Sequence, residues 1–364
     1  MQEGLFKNII DAIRDWAKGL FLTDAPSDSK QYARKDGAWA EVQGGSGSSD
    51  LIVTDGDEGD FELSDPDGNV LLRLQDGHIR TKNFDSSALG TSSRIYDIIL
   101  FMGQSNMAGR GAQSAAFPQV APDIIDGAGY EFRAISDPTK LHKIVEPFGV
   151  SENKSGGIND GGKTGSMVTS FVNAYYETSG HPVIAISASE GGTGSSLWVS
   201  GSSRLNDAIQ RLSDCKEFLS SKNISYKHIY MAWCQGETDG DNSVSADTYS
   251  SNFESMLDAM KLEGVEACFL VRIGECNGIK DYSNIINAQT LIAKSRNDVC
   301  MVSTALVSFK SLGLMKDSFH YYQQGYNLIG SYSGYNAGRY AISGGEPIMY
   351  DPKDNTIYYT NNSY

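Results

Sequence analysis

Ser105 stands where a serine can become a nucleophile. The apolar run Ile98-Ile99-Leu100-Phe101-Met102 has the length and composition of a buried central strand, and it stops at Gly103 before the polar turn Gln104-Ser105-Asn106. A hydroxyl just past such a strand, flanked by Gly103 and Gly109, can project into the crevice at the carboxyl edge of a sheet, where open α/β sheets bind ligands. The spacing approaches the G-x-S-x-G nucleophile elbow but has Met107 where the last glycine would be. An unassisted serine hydroxyl is a weak nucleophile, so a histidine must lie beside it. The chain has five: His78, His142, His181, His228 and His320. His78 falls in a β-rich N-terminal segment, and His181 and His228 lie near strand starts, the wrong end of a parallel sheet. His142, in an irregular region, is held in reserve. His320 follows the last core strand. Asp317, three residues earlier, can reach its Nδ1 within one tight turn and leave Nε2 facing Ser105, which fixes the tautomer and stabilises the imidazolium. The chemistry is acyl transfer: Ser105 attacks, His320 takes the proton, Asp317 orients, and the Ser105 backbone N–H is one oxyanion donor.

Other groups near strand ends admit two readings each. Gly191-Gly192 can bring a backbone amide close to a ligand because neither residue has a Cβ, or can be a plain turn. Glu237 and Asp239 are either a glycosidase acid–base pair or, for Glu237, a brace on the Ser105 loop; the serine and histidine favour the brace. Gln104, Asn106 and Glu237 are nonetheless retained as candidate substrate contacts. Arg110 and Arg272 can meet a sugar carboxylate or form structural ion pairs. Trp198 can stack on a sugar ring or fill the core. Gly157–Thr164, GINDGGKT, matches the phosphate-cradling pattern G-x-x-x-x-G-K-[ST], but polar FGVSENKS precedes it where a buried strand is required, so nucleotide hydrolysis is set aside.

Four stretches in order, GQSNMAGRG (Gly103–Gly111), EGGTGSSLW (Glu190–Trp198), WCQGETD (Trp233–Asp239) and DSFH (Asp317–His320), resemble the blocks of SGNH-type hydrolases. The similarity is to the branch of sialate O-acetylesterases and carbohydrate esterase family six, and it covers roughly residues 94–344. The resemblance implies a three-layer α/β/α, flavodoxin-like domain and a serine esterase that removes O-acetyl groups from glycans. It implies Gly192 as the second oxyanion donor and Gln235, of the Q-G-E block, as a side-chain donor. It also implies no metal and no organic cofactor.

The elements that must position these groups alternate between strand and helix from Ile95 onward. Strands are predicted at Ile95–Met102, Val183–Ser187, His228–Trp233, Cys268–Ile273 and Val299–Ala305. Helices are predicted at Ser166–Thr178, Ser203–Ser221, Ala246–Leu262, Ser283–Arg296 and Tyr321–Tyr340. This alternation implies a mostly parallel sheet covered on both faces, in a domain spanning 94–345. The Gln113–Ser155 stretch shows no readable pattern. Before the domain, 1–22 reads as an amphipathic helix with a short heptad seam (Phe6, Ile9, Ile13, Trp16, Leu20) able to self-associate. The 23–93 segment reads as a β-rich stalk containing a Gly/Ser linker at 44–49. Within it, Thr23–Val42 resembles segments of bacteriophage tail-fibre and appendage proteins, which implies a homotrimer through residues 1–93, other virion proteins as partners, and a place on a virion appendage made in a bacterial cytoplasm. Residues 346–364 read as a C-terminal hairpin.

The formal net charge of −15 over 364 residues, without a basic run, excludes nucleic acid as main partner. No stretch approaches a membrane span, and the charged N-terminus does not read as a signal peptide. The five cysteines include no C-x-x-C pair, which favours reduced, buried thiols. Two rival readings are a non-catalytic glycan receptor-binding module with an esterase fold, and a free bacterial acetylxylan-type esterase.

Overall fold

The computed structural model describes residues 95–343 in full and, outside them, the backbone of eight short strands. The chain forms two compact units, Met1–Ser92 and Ser93–Tyr364. In the first, β1 (Tyr32–Lys35) and β2 (Ala38–Glu41) pair antiparallel with Lys35 opposite Ala38. β3 (Ile52–Asp55), β4 (Phe61–Ser64), β5 (Val70–Gln75) and β6 (His78–Arg80) form an antiparallel meander in that order. The expected helix at 1–22 and the linker at 44–49 lie outside the described residues.

The second unit is built on a seven-stranded sheet. Its strands are β7 (Tyr96–Gly103), β8 (Gly129–Arg133), β9 (Asp137–Lys143), β10 (Val183–Ser189), β11 (Tyr226–Cys234), β12 (Ala267–Val271) and β13 (Val299–Ser303), in the order β13-β12-β11-β7-β10-β8-β9. All neighbours are parallel except β9, which runs antiparallel to β8 at the edge. β14 (Ile348–Asp351) and β15 (Thr356–Tyr359) pair antiparallel with each other.

Alternation along β7 explains the three layers. Ile98, Leu100 and Met102 join one core with α3 (Ser203–Ser221), α5 (Ala246–Leu262) and α6 (Ser283–Ser295), while Ile99 and Phe101 join a second core with α2 (Val168–Ser179) and α8 (Gln323–Ser343). A strand buried on both faces must be apolar at successive positions, as this one is. Three short helices, α1 (Ser105–Ala108), α4 (Glu237–Asp241) and α7 (Leu306–Phe309), follow β7, β11 and β13 at the carboxyl edge. Among the described residues no helix is long and apolar enough to cross a membrane.

Gly330, Gly334 and Gly338 line the side of α8 that meets α2. A Cβ at these positions would lie 2.4 Å from Met167 O, 2.1 Å from Phe171 O and 2.9 Å from Tyr175 O. Only hydrogen side chains permit this approach of the two backbones.

The sheet is larger than the sequence reading allowed. β8 and β9 fall inside Gln113–Ser155, where no pattern was legible: β9 is DPTKLHK, a mostly solvated edge strand with no apolar run to mark it.

Candidate active site

The nucleophile turn is held by both neighbouring strands. Gly103 ends β7 at φ +132°, where a Cβ would lie 2.1 Å from Cys234 O, so the position requires glycine. Gln104 N–H donates to Cys234 O at 3.0 Å, and Glu190 N–H donates to Gly103 O at 3.0 Å. Ser105 therefore opens α1 at the carboxyl edge of the central strand, between the loops that follow β10 and β11.

His320 Nε2 lies 2.9 Å from Ser105 Oγ, and His320 Nδ1 lies 2.9 Å from Asp317 Oδ2. Pairing with the carboxylate assigns the ring proton to Nδ1, which leaves Nε2 to accept from the serine hydroxyl. Asp317 Oδ1 in turn accepts from the backbone N–H of Phe319 (3.0 Å) and of His320 (2.7 Å), so the carboxylate stabilises its own loop. Burial lowers the His320 pKa more than Asp317 raises it, so the ring is held below the ordinary histidine range and is neutral at pH 7. Burial pushes the Asp317 carboxyl up, but its two N–H bonds and His320 outweigh that and hold it below its ordinary value.

The loop after β10 carries the double glycine. Gly192 adopts φ +74°, a left-handed conformation that favours glycine, and its N–H finds no protein acceptor among the described residues. The Ser105 N–H likewise finds no protein acceptor among the described residues. Gly191 N–H, by contrast, donates to Asp160 Oδ2 at 2.7 Å. A Cβ on Gly191 would come within 3.3 Å of Ser105 Cβ, which places this loop directly against the nucleophile.

Several residues expected to touch substrate or oxyanion are instead buried in the scaffold. Gln235 has its amide Nε2 committed to Thr193 O (3.1 Å), Gln104 Oε1 (3.2 Å) and Asp239 Oδ2, so no side-chain N–H remains for an oxyanion. Gln104 Oε1 also accepts from the N–H groups of Gly236 (3.3 Å) and Thr238 (3.2 Å), tying the nucleophile turn to the loop after β11. Asn106 is fully buried: Nδ2 donates to Phe319 O at 2.9 Å and to Glu237 Oε1, and Oδ1 accepts from Tyr326 OH at 2.6 Å. It thus links α1, the carbonyl preceding His320, and α8. Glu237 is buried, with Oε2 lacking any donor among the described residues, and burial pushes its carboxyl up to about 7. Asp239 accepts from Ser195 N–H (2.9 Å) and Ser195 O–H (2.6 Å). Neither carboxylate of this pair is open to a sugar, which removes the glycosidase reading.

Trp198 is fully buried, edge-on to Trp233 at 5.6 Å, and its Nε1 donates to Thr193 Oγ1 at 3.0 Å. It braces the glycine loop from behind and has no face for a sugar. Arg272 is buried at the end of β12 and donates from Nη1 to Thr290 Oγ1 at 3.1 Å. It borders a cavity of about 410 Å³ lined by Glu275, Tyr282 and Lys310 among others, with no wall from Ser105, Asp317 or His320. Of the two arginines, Arg110 alone comes to the nucleophile, its Nη2 bonded to both oxygens of Asp160 at 2.8 and 2.7 Å. Asp160, held against the nucleophile loop, is a neighbour the sequence analysis did not single out.

No strand runs into the phosphate-loop-like stretch Gly157–Thr164. Lys163 is buried and donates to Gly149 O (2.9 Å) and Ser187 Oγ (3.0 Å), with burial lowering its pKa to about 8. His142 faces Asp137 in the edge hairpin, and His181 and His228 lie at the opposite end of the sheet against Asp97 and Glu266. Among the described residues no three His, Cys, Asp or Glu side chains gather as a metal site would require.

A family model described as carbohydrate esterase, sialic acid-specific acetylesterase, matches residues 95–335. Among solved structures, one of a protein from Arabidopsis thaliana is 19% identical with a TM-score of 0.50, covering 67% of this chain and 98% of that one. A carbohydrate acetylesterase from Xanthomonas citri is 14% identical with a TM-score of 0.44, covering 78% of this chain and 61% of that one. NanS is 13% identical with a TM-score of 0.43, covering 68% of this chain and 98% of that one. No curated protein sequence matches the chain.

Proposed function

The chain belongs to the carbohydrate esterase family of sialic acid-specific acetylesterases, and from that premise we propose that Ser105, His320 and Asp317 carry out the removal of O-acetyl groups from a glycan. Ser105 Oγ attacks the acetyl carbonyl while His320 Nε2 takes its proton, and Asp317 stabilises the imidazolium. The N–H groups of Ser105 and Gly192 receive the oxyanion. The imidazolium then protonates the departing sugar oxygen, leaving an acetyl ester on Ser105. Water attacks that ester with His320 as base, acetate leaves, and the free serine is restored. The observation that carries this reading is the 2.9 Å contact between His320 Nε2 and Ser105 Oγ, with Asp317 2.9 Å behind the ring.

The test is acetate release from p-nitrophenyl acetate and from O-acetylated sialoside and xylan by the wild type and by Ser105→Ala, purified alike. Activity abolished by the substitution supports the assignment; equal activity in both removes Ser105 as nucleophile. The set of glycans cleaved separates sialate from neutral substrates.

Residues 1–93 act, in this proposal, as a trimeric stalk that carries the esterase on a virion appendage. The support is the likeness of Thr23–Val42 to tail-fibre segments and the small antiparallel sheets of the first unit, one two-stranded and one four-stranded, of a size that gains stability by packing against other chains. Light scattering on the full chain and on a chain lacking residues 1–93 tests it: a trimer that becomes a monomer is expected, and a monomer in both cases removes the stalk.

A further inference from the structure

The stretch Gly157–Thr164 has the pattern of a phosphate cradle and the setting of something else. It lies across the loop that follows β10, beside the nucleophile. Asp160, at its centre, is buried and accepts four hydrogen bonds: from Arg110 Nη2 on each oxygen, from Gly162 N–H on Oδ1 at 2.8 Å, and from Gly191 N–H on Oδ2 at 2.7 Å. We infer that Asp160, backed by Arg110, is the positioning residue of the oxyanion site: by fixing the Gly191 N–H it sets the Gly191–Gly192 peptide so that the Gly192 N–H is aimed at the acetyl oxygen over Ser105. This rests on the reading of Ser105 as nucleophile.

Three observations support a clamp rather than an incidental ion pair. The stretch is fastened on every side. Lys163 Nζ holds Gly149 O and Ser187 Oγ on β10, Thr164 Oγ1 donates to Gly111 O at 2.8 Å, and Asp160 N–H donates to Asn153 Oδ1 at 2.7 Å. The fit has no slack, since a Cβ on Gly191 would lie 2.3 Å from Arg110 Nη2 and one on Gly162 would lie 3.2 Å from Arg110 Cζ. Finally, the two successive amides of the double glycine are divided, one spent on Asp160 and the next without a protein acceptor among the described residues. A loop with two glycines has wide conformational freedom, and an amide useful to a transition state must be held before the reaction. A carboxylate suits the task because it accepts at both oxygens and Arg110 keeps it ionised. Asparagine keeps one acceptor oxygen and turns a donor towards the remaining N–H groups.

The experiment compares wild type, Asp160→Ala, Asp160→Asn and Ser105→Ala on p-nitrophenyl acetate over a range of pH, with thermal melts and with inhibition by butylboronic acid, which forms a tetrahedral adduct on an active serine. Loss of one oxyanion donor costs about 10²–10³ in kcat, and a donor left in place but unaimed should cost about 10- to 100-fold. Asp160→Ala should lower the plateau kcat by that factor with KM within about 3-fold. Boronate affinity should fall in parallel, and Asp160→Asn should recover part of both. An inhibitory effect of the unpaired Arg110 on His320 would instead move the pH inflection and leave the plateau. Ser105→Ala as active as wild type overturns the esterase reading and this inference together. An inactive Ser105→Ala beside an Asp160→Ala with plateau kcat within 2-fold of wild type overturns the clamp alone, as does a loss carried only by KM. Should Asp160→Ala melt below the assay temperature, Asp160→Asn decides: a plateau reduced 3-fold or more supports the clamp, and an unchanged plateau overturns it.

Discussion

Replacing Glu237 by glutamine exposes the cost of a carboxyl buried behind the nucleophile. Its Oε1 takes the Asn106 amide, its Oε2 meets no donor among the described residues, and burial pushes its pKa from 4.5 up to about 7. Between those two values the unfolded chain has released a proton that the folded chain still holds. The unfolded state thus binds fewer protons there, and stability falls as pH rises. The interval is about 2.5 units, and at about 1.36 kcal/mol per unit the loss is about 3 kcal/mol, complete near pH 7 and absent below 4.5. Glutamine cannot ionise and keeps an acceptor for Asn106. The stability difference between Glu237→Gln and wild type should therefore shift by about 3 kcal/mol in favour of the variant between pH 4.5 and 7.5. Reversible urea unfolding followed by near-ultraviolet circular dichroism, at half-unit steps of pH, measures it. Two curves that stay parallel to within about 0.5 kcal/mol would show that Glu237 ionises in the folded protein at its ordinary pKa, and the reasoning would fail.

Three further outcomes follow from the site. kcat/KM should rise with pH through an inflection below 6.5, because burial disfavours the imidazolium of His320. In Asp317→Asn the inflection should move lower still, since the carboxylate that favours the imidazolium is gone, and the plateau should fall by about 10² or more; a pH–rate profile from 4 to 9 checks both. Trp198→Ala should cost about 3–5 kcal/mol of stability, as a fully buried indole does. KM for a glycan should stay within about 2-fold, measured by denaturant titration and steady-state kinetics; a large rise in KM without loss of stability would return Trp198 to the substrate.

How far the sequence could be read depended on whether a residue's role follows from its place on an element. Ser105 lies just past the buried strand β7 and His320 on the connection from β13 to α8, at the edge where a parallel sheet puts side chains into one crevice, so two residues 215 positions apart could be paired from the sequence. The apolar runs of β7, β10, β11, β12 and β13 were legible for the same reason. What failed was the direction of polar side chains within the site blocks. Gln235, Asn106 and Gln104 look like ligand groups because they are polar and near the serine. Their hydrogen bonds run to each other or to Glu237, Asp239 and Tyr326, and to the backbones of three loops, which spacing cannot reveal. Trp198 was open between core and substrate, and Arg272 between a structural ion pair and substrate; both are buried. Asp160 carried no signal, since its partners, Arg110 and Gly191, are 50 and 31 residues away and its own stretch matched a different motif.

The glycine face of α8 bears on the tolerances of this site. Ser105 is mounted on the sheet, whereas His320 stands three residues ahead of a helix in an outer layer, so their separation is a distance between layers. Gly330, Gly334 and Gly338 fix where α8 stands within that layer, beside α2 and about as near to it as two helices allow. A methyl at Gly334 would begin 2.1 Å from Phe171 O, more than an ångström inside ordinary contact, and displacement of reacting groups by about 1 Å can cost about 10²-fold in rate. The rim of α2 is therefore a calibration surface for the proton relay: residues that never approach the acetyl group set its working gap, and an engineer wishing to retune the enzyme could turn that screw from the far side of the domain.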